Sequence, residues 1–492
     1  MKKHYDVAII GGGPVGLMAA CELAIQGVKV ILLEKREDLI RNSRALTLHP
    51  RSLEIFAMRG IVERFLTKGK PLETAHYAGL ETRLKFSKLE TDFPYTLFIP
   101  QSMTEKILRE HALALGVEIR NGHSLIQLKQ HKDSVWISVK NMEDIYHLVV
   151  NYVIGADGAR SSVRQFSQIP FNGTETNVTA ILGDVRLDTN SFPSFFSTTT
   201  EKGSIMGGPV TPGVVRIAVI DLNHQYISKK VPVTEKELQD GVYRITGKKI
   251  QIKESLWLSR FGNATKLAGM YQNARVFLAG DAAHIHFPAG GQGLNVGLQD
   301  AFNLGWKLGL SIKQNKHGAL LESYHFERYE VGKQFVKETL AQEQIMMNFS
   351  PSGLALRDVL SRLLTYSEVN QDLAEKVSGI GVMYPLASKM EVHPWIGKRC
   401  PNFPIYLHNQ QKKKLYTLMH DGHFIVILPP SQAHLLENIT VPSYVKLIIG
   451  QVEHPAFEEQ QIISIRPGSY ILGCIKPERA SESSRRYSLT VF

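Results

Sequence analysis

The stretch DVAIIGGGPVGLMAACELAIQGVKVILLEK, from Asp6 to Lys35, decides the fold of this chain. Its first apolar run, DVAII, is bounded by glycines and predicts a buried parallel strand. The next segment has helical spacing and ends at Gly27, and KVILLEK predicts a second buried strand. A strand, a helix and a strand within about thirty residues form the unit with which dinucleotide-binding folds begin.

Three glycines, Gly11, Gly13 and Gly16, lie between the first predicted strand and the helix. Glycines at this spacing provide a tight turn, room for a pyrophosphate against the backbone, and close packing of helix on strand. Glu34 ends the second strand, where a carboxylate can accept hydrogen bonds from an adenosine ribose. The glycine pattern alone also occurs in tight turns of other α/β proteins, but the acid in register with it predicts a bound dinucleotide.

Two later stretches also place an aspartate at the carboxyl end of a predicted strand, where open parallel sheets bind ligands. In VIGADGARSSVR these residues are Asp157 and Gly158, although Asp-Gly is also common in plain turns. In RVFLAGDAAHIHFPAGGQGLN the residue is Asp281. We therefore expect the ends of several strands to contribute to one ligand site.

The glycines that follow Asp281 need a different explanation. No strand directly precedes Gly291 and Gly293, and no acid follows them at the right distance, so they are not a second nucleotide fingerprint. Dense glycine usually means that something approaches the backbone closely. We interpret residues 290–295 as a backbone shelf, followed by a helix that begins near Leu294 and directs its first N–H groups at the ligand.

Composition excludes several other classes of protein. With 492 residues the chain is too long for one core, and its hydrophobic share of 43% and charged share of 21% are ordinary for a globular protein. The basic residues behind the net charge of +11 are dispersed, which argues against a nucleic-acid partner. The N-terminal apolar run lacks a cleavage site and is too short to span a membrane, and the cysteines are too far apart for a redox pair. We expect a cytoplasmic protein with no membrane partner and no metal.

Together, the three motifs resemble the single-component (class A) flavoprotein aromatic hydroxylases, the 4-hydroxybenzoate hydroxylase-like family. The resemblance extends over nearly the whole chain. In IPQSMTEKILREHA, WLSRFGNATKLA and GGQGLNVGLQDAFNLGWKL it is closest to the rifampicin monooxygenases and aromatic-polyketide hydroxylases of that family. It implies an FAD-dependent enzyme that uses NADPH or NADH and O₂ to hydroxylate a bulky aromatic substrate, with a rifamycin-type antibiotic as the first candidate.

The resemblance leaves alternatives open. Tetracycline-type or anthracycline-type polyketides and simple phenols are other substrates that it allows. A flavin reductase or dehydrogenase without oxygen insertion is an alternative of another class, and a catalytically idle flavin-binding protein is a third. Since the flavin carries the chemistry in this family, we nominate no side chain as a general acid or base. The resemblance allows either a monomer or a homodimer.

The fold that the resemblance implies is α/β. It would consist of a Rossmann-like FAD-binding domain of the glutathione-reductase type, an inserted α+β substrate domain and a C-terminal thioredoxin-like domain. We expect the FAD-binding domain over residues 1–75, 96–180 and 262–390, and the substrate domain over residues 76–95 and 181–261. Residues 391–492 would form the thioredoxin-like domain, which lacks the Cys-x-x-Cys pair of redox-active thioredoxins.

The resemblance also assigns site residues. The expected cofactor-binding residues are Gly11, Gly13, Pro14, Val15, Gly16, Glu34, Lys35, Arg44, Gln101, Asp157, Gly158, Asp281, Pro288, Gly291, Gly293, Leu294 and Asn295. The expected flavin-side or substrate-side candidates are Arg216, Pro288 and His286. The expected substrate pocket contains Phe196, Met206, Arg216, Phe261, Phe287 and Gly290. For the aromatic residues a plain core position is the alternative, for His286 a backbone hydrogen bond, and for Arg216 an outward orientation.

Overall fold

The structure is a computed structural model that describes residues 4–38, 45–187, 195–316, 318–384, 393–436, 440–457 and 461–475. The strands are β1 (Tyr5–Ile10), β2 (Val30–Glu34), β3 (Thr47–Leu48), β4 (Lys70–Leu72), β5 (Thr74–Ala75), β6 (Leu84–Lys85), β7 (Thr96–Phe98), β8 (Glu118–Asn121), β9 (Ser124–Gln130), β10 (Val135–Lys140), β11 (Ile145–Gly155), β12 (Phe171–Thr174), β13 (Thr179–Leu187), β14 (Phe196–Thr200), β15 (Gly203–Thr211), β16 (Val214–Asp221), β17 (Ile252–Gly262), β18 (Thr265–Ala268), β19 (Gln272–Asn273), β20 (Val276–Leu278), β21 (His284–Ile285), β22 (Pro404–Leu407), β23 (Lys412–Lys414), β24 (Phe424–Leu428), β25 (Val445–Val452), β26 (Ile462–Ile465) and β27 (Ile471–Ile475). The helices are α1 (Pro14–Ile25), α2 (Pro50–Ala57), α3 (Val62–Leu66), α4 (Gln101–Ala114), α5 (Ser162–Phe166), α6 (Glu235–Thr246), α7 (Gly293–Gln314), α8 (Ala319–Met347), α9 (Pro351–Leu363) and α10 (Ser367–Ser378).

The first large sheet has the strand order β19-β20-β11-β1-β2-β8, and β10 and β9 extend it beside β11. Strand β1 pairs in parallel with both β2 and β11, and β11 pairs in parallel with β20. The predicted strand–helix–strand unit is confirmed as β1, α1 and β2. The apolar runs of β2 and β20 are entirely buried because helices cover the sheet, as expected for parallel strands. The fold is mixed α/β.

The second sheet has the order β14-β15-β16-β13-β17, with antiparallel pairing throughout. Successive residues of a strand point to opposite faces, so each strand contributes to two surfaces. One face packs against the buried side of α6 through Leu238, Val242 and Ile245. The other face, opposite α6, carries the buried side chains of Ala180, Asp184 and Arg216 beside the half-buried Met206. This second face is the one that borders the candidate site.

The third sheet, in the C-terminal part, has the order β23-β22-β25-β24-β26-β27. Between residues 393 and 475, the described segments contain 3₁₀ turns at Leu415–Leu418 and Pro430–Leu436 but no α-helix. Buried ion pairs join this sheet to the rest of the chain: Arg466 contacts Glu327 at 2.6 Å and Arg399 contacts Glu54 at 2.9 Å. The thioredoxin-like character and the domain limits stay predictions.

In the part of the chain that the structure describes, no helix combines the length and the apolar character needed to cross a lipid bilayer.

Candidate active site

The three sequence motifs lie together at one edge of the first sheet. Since β2, β1, β11 and β20 are parallel neighbours, their carboxyl ends meet at the same edge. Gly11, at the end of β1, lies directly against the backbone of Asp157 at the end of β11. Gly280, at the end of β20, lies against Val15 in the first turn of α1. The predicted convergence of strand ends is therefore present.

The glycines between β1 and α1 differ in their surroundings. Gly11 has a φ of +109°, and a methyl group there would lie 2.3 Å from the carbonyl oxygen of Ala156. A methyl group on Gly16 would lie 2.0 Å from the carbonyl oxygen of Gly11. At Gly13, by contrast, no described atom other than those of its chain neighbours lies within 4 Å of such a methyl group. Gly11 and Gly16 are thus required for the turn and the packing, whereas Gly13 borders open space.

The N-terminus of α1 faces the same open space. The helix begins at Pro14 after Gly13, and none of the described side chains caps it. Its first backbone N–H groups are therefore available, and together with the helix dipole they favour a negatively charged group. A phosphate-sized anion beside Gly13 fits this combination of space and free donors.

Glu34 is hydrogen-bonded to two neighbouring residues. Its carboxylate accepts a hydrogen bond from the N–H of Gly12 at 2.6 Å and from Nε of Arg36 at 2.7 Å. Burial opposes ionisation of Glu34, but the hydrogen bonds from Arg36 and Gly12 outweigh it and lower the pKa of the carboxyl. Arg36 contacts the carboxylate, while Lys35 is exposed and its predicted contact with the cofactor stays a prediction. The ion pair of Glu34 and Arg36 could have been predicted, because the arginine follows the acid at the end of the strand by two residues.

Asp157 caps the short helix that follows it. One oxygen of its carboxylate accepts the backbone N–H groups of Ser162 at 2.7 Å and of Val163 at 3.2 Å. Burial raises the pKa of this carboxyl. Gly158 beside it has a φ of +81°. The side chain of Asp157 therefore holds the shape of the loop, and its predicted contact with a cofactor stays a prediction.

The turn that carries the exposed Asp281 rests on a buried ionic network. The N–H of Gly280 donates to Asp300 at 3.0 Å, and Asp300 also accepts from His284 at 2.7 Å and from Arg328 at 2.7 Å. The side chains of Asp300, His284 and Arg328 are fully buried. Burial opposes ionisation of Asp300, but Arg328 and His284 outweigh it and lower its pKa. Asp300 was not among the predicted site residues, although a lone acid within the apolar helical stretch LQDAFNLGW indicates a buried partner of opposite charge.

The residues of the predicted shelf lie directly before and in the first turn of α7. Gly290 and Gly291 have φ values of +66° and +64°, a conformation that favours glycine. His49 donates from Nε2 to the carbonyl oxygen of Gly290 at 2.8 Å, and burial lowers the pKa of His49 to about 4, so its ring stays neutral near pH 7. The side chain of Asn295 accepts the N–H of His49 at 2.7 Å and donates to the carbonyl oxygen of Gly291 at 2.9 Å. Asn295 thus fixes the shelf from inside the protein, and His49 is a supporting residue that sequence reasoning missed.

Other predicted residues lie around the shelf. Pro288 and Gly291 are exposed, while Leu294 and Gly293 in the first turn of α7 are half-buried. The ring of His286 is hydrogen-bonded to the carbonyl oxygen of Phe287, and burial lowers the pKa of His286 to about 3. His286 thus makes the backbone hydrogen bond that was the alternative, and its predicted place beside the flavin stays a prediction.

The segment before α2 is hydrogen-bonded to the start of α4. Gln101 accepts the N–H of Ala45 at 3.3 Å and donates to Glu105 at 2.9 Å, which ties the start of α4 to this segment. Arg44, which we expected to contact the cofactor, lies outside the described residues.

An apolar wall adjoins the shelf. Met206 of β15 and Phe261 of β17 pack in one cluster with Phe287, and the ring centroids of Phe261 and Phe287 are 5.9 Å apart. Phe196 does not join them. It pairs with Gly207 and packs in the cluster on the α6 side of the sheet, because Gly207 and Met206 point to opposite faces. The structure therefore brings three of the four predicted apolar pocket residues together.

Arg216 lies on the wall-side face of the second sheet, but its charge is matched by a protein carboxylate. Its Nε and Nη2 atoms donate to the two oxygens of Asp184 at 2.7 and 2.8 Å, and Trp257 donates to the same carboxylate at 2.8 Å. Arg216 is 7% exposed. It thus neither faces outward, which was the alternative, nor needs a ligand anion, and its predicted role toward a ligand stays a prediction.

Comparisons with known proteins identify the family of this chain. Residues 4–339 match the sequence profile of the family described as "FAD binding domain". An uncharacterized aromatic compound monooxygenase of Bacillus subtilis is 43% identical over 428 residues, which cover 87% of this chain and 86% of that protein. A rifampicin monooxygenase of Streptomyces venezuelae is 39% identical over 428 residues, which cover 86% of this chain and 87% of that protein. The solved structure of OxyS anhydrotetracycline hydroxylase from Streptomyces rimosus superposes with a TM-score of 0.87 at 32% identity and covers 98% of both chains.

Proposed function

This chain belongs to the FAD binding domain family and is a flavin-dependent monooxygenase, and from that premise we propose that it oxidises a bulky aromatic compound, with a rifamycin-type antibiotic as the first candidate. FAD is the cofactor, and O₂ and a reduced nicotinamide are the co-substrates of such an enzyme. Relatives named rifampicin monooxygenase and 12-dehydrotetracycline 5-monooxygenase/anhydrotetracycline 6-monooxygenase support the size and type of the substrate.

The observation that carries the proposal is the continuity of the shelf and the apolar wall. Phe287 belongs to the wall, and Gly290 and Gly291 follow it in the same loop. A flat ring that lies on the shelf would therefore have Met206 and Phe261 beside it, which suits an apolar aromatic substrate. Water is excluded best where such side chains enclose the reacting atoms.

The residues around the strand ends fit the parts of FAD. The open space at Gly13 and the first N–H groups of α1 would hold the pyrophosphate, and Glu34 would hold the adenosine ribose after exchanging its present partners. Asp281 would hold the ribityl chain, and the backbone at Gly290 and Gly291 would lie against the ring system. The start of α7 would present its dipole to the anionic edge of the ring.

When bound, FAD supplies electron transfer from the nicotinamide and the activation of O₂. The chain itself supplies orientation and a dry environment. Asp300 keeps the Gly280–Asp281 turn in place, and His49 holds the carbonyl group of Gly290 by a hydrogen bond. We nominate no side chain as a general acid or base.

The division of the chain into domains is part of the same proposal. We propose that residues 76–95 and 181–261 form the substrate domain and that the C-terminal sheet is a structural support. Cys400 and Cys474 are the cysteines of that part, and burial raises the pKa of both thiols, which argues against a thiol redox role there.

The test is to follow NADPH oxidation and O₂ uptake by the purified, FAD-loaded enzyme. Rifamycin, tetracycline, anthracycline and simple phenol substrates are compared with no substrate. We expect one class to stimulate O₂ uptake and to yield a product heavier by one oxygen atom. The Asp281→Ala variant, which should lose FAD, serves as the control for activity that does not depend on the flavin.

Different outcomes select different functions. Stimulation by tetracycline or anthracycline alone would replace the rifamycin-type substrate by one of these polyketides. NADPH oxidation that continues without O₂ and yields a reduced organic product would contradict oxygen insertion and favour a reductase. Absence of turnover with every reductant and substrate would favour a binding protein.

A further inference from the structure

The turn between β26 and β27 connects the third sheet with α2. Arg51 of α2 donates from Nη2 to the carbonyl oxygen of Gly468 at 2.8 Å and from Nη1 to the hydroxyl of Ser469 at 3.1 Å. Arg51 and Ser469 are both buried. The third sheet is therefore attached at this turn by hydrogen bonds in the interior of the protein.

The same turn holds Tyr384. The ring centroids of Tyr384 and Tyr470 are 4.4 Å apart, and the guanidinium carbon of Arg466 lies 4.6 Å from the centroid of the Tyr384 ring. Aromatic pairs and cations over rings attract each other at such distances. The N–H of Tyr384 donates to the carbonyl oxygen of Gly397 at 2.9 Å, and the N–H of Gly397 donates to that of Ile471 at 2.9 Å. The third sheet thus fixes both the ring and the backbone of Tyr384.

The hydroxyl of Tyr384 accepts a hydrogen bond from a buried guanidinium. Nη1 of Arg328 donates to this hydroxyl at 2.9 Å. Nε of Arg328 donates to Asp300 at 2.7 Å, and its Nη2 donates to the carbonyl oxygen of Val296 at 3.2 Å. Burial raises the pKa of Tyr384, so its hydroxyl stays neutral. Because a guanidinium is planar and its N–H groups form a rigid fork, these three acceptors together set its orientation.

Asp300 connects Arg328 with the turn at the end of β20. Its Oδ1 atom accepts from Arg328, and its Oδ2 atom accepts the N–H of Gly280 at 3.0 Å. Gly280 has a φ of +61° and directly precedes Asp281. Three hydrogen bonds of 2.7 to 3.0 Å therefore lead from the hydroxyl of Tyr384 to the turn that carries Asp281.

We propose that Tyr384 is a positioning residue for FAD: through Arg328 it fixes the turn that carries Asp281. This inference rests on the proposed role of Asp281 at the ribityl chain. It gives the third sheet a part in cofactor binding, because that sheet holds the ring of Tyr384 in place. The ADP half of the cofactor is expected at Gly13 and Glu34, and none of the three hydrogen bonds includes a residue of that region. The positioning effect should therefore concern the flavin half alone.

The test compares the binding of FAD with that of ADP, which has only the half of the cofactor expected at Gly13. Kd values for both ligands are measured by titration calorimetry on the full-length apoproteins of wild type, Tyr384→Phe, Arg328→Lys and Tyr470→Phe. Arg328→Lys keeps the charge opposite Asp300 but loses the fork. Tyr470→Phe is the matched control: it removes a hydroxyl from the neighbouring ring, and that hydroxyl makes no hydrogen bond within the described part of the chain.

In Tyr384→Phe and Arg328→Lys we expect a Kd for FAD about 2- to 30-fold weaker, the range in which substitutions within such networks typically act, and an unchanged Kd for ADP. Tyr470→Phe should match wild type for both ligands. In an Asp281→Ala background, Tyr384→Phe should weaken FAD binding no further, because the three hydrogen bonds act through the turn of Asp281. A role of Tyr384 in stability alone would not produce this dependence on Asp281.

Unchanged FAD binding in a folded Tyr384→Phe protein would overturn the proposal. An equal loss of FAD and ADP would overturn it too, since a general loosening of the structure has that effect, and so would an equal loss in Tyr470→Phe. A full effect of Tyr384→Phe in the Asp281→Ala background would also contradict it. If Asp281→Ala alone binds FAD as tightly as wild type, the ribityl role is wrong and the inference falls with it. If Asp281→Ala loses FAD and Tyr384→Phe does not, only the role of Tyr384 is wrong.

Discussion

The substitution Gly13→Ala separates cofactor binding from folding. Gly13 has φ −75° and ψ 179°, which alanine adopts without strain, and the added methyl group would contact no described atom beyond its chain neighbours. Replacing a glycine by alanine at a compatible position typically stabilises a protein by about 0.4–1 kcal/mol, because the unfolded chain loses freedom. We therefore expect apoprotein that is as stable as wild type or slightly more stable.

The same methyl group would occupy the space that we assign to the pyrophosphate. Forcing a methyl group into a filled contact typically costs about 1–3 kcal/mol, which corresponds to a Kd for FAD about 5- to 150-fold weaker. Gly16→Ala is the contrasting variant, because its methyl group would meet the carbonyl oxygen of Gly11 at 2.0 Å. That variant should lose stability even without FAD.

The assay combines thermal unfolding of the apoproteins with FAD titration, followed by the quenching of flavin fluorescence. A Gly13→Ala protein that binds FAD as tightly as wild type would refute the assignment of this space to the cofactor. A Gly13→Ala apoprotein that is as unstable as Gly16→Ala would also refute the reasoning, because the space would then not be open.

Three further outcomes follow from the site. Asp281→Ala should be purified largely without yellow colour, since hydrogen bonds to a charged group are worth about 1.5–3 kcal/mol; a full FAD complement would exclude the ribityl role. Asp300→Asn should lower the free energy of unfolding in urea by about 3–5 kcal/mol, because it leaves the buried Arg328 uncompensated, and a loss below about 1 kcal/mol would contradict this. For Glu327, burial opposes ionisation, but Arg466 and Lys307 lower the pKa from 4.5 to about 2. The ionised carboxylate therefore contributes about 3 kcal/mol to the free energy of unfolding above pH 4.5, and this contribution is lost as the pH falls toward 2. The difference in free energy of unfolding between wild type and Glu327→Gln should accordingly become smaller over that range. A difference that does not change with pH would contradict this role of Glu327.

The local pattern of the sequence predicts the first sheet and its ligand edge well. The apolar runs around Gly11 and before Asp281 form buried parallel strands, since both the strand period and the glycine turns are encoded within a few residues. The shelf at Gly290 could be predicted for the same reason.

Features that depend on pairing between distant segments could not be predicted in this way. Phe196 and Met206 belong to adjacent strands, and only the register decides that they point to opposite faces. Arg216 meets Asp184 because their strands pair, and nothing local to either residue indicates it. Asp300 likewise acquires its partners only when α7 and α8 pack together.

The most direct test of the central claim is a turnover experiment in labelled oxygen gas. FAD-loaded enzyme, NADPH and the substrate that stimulates O₂ uptake are incubated under ¹⁸O₂, and the product is analysed by mass spectrometry. A flavin-dependent monooxygenase predicts a single labelled oxygen atom in the organic product. A product without the label, formed while NADPH is consumed, would contradict oxygen insertion by this enzyme.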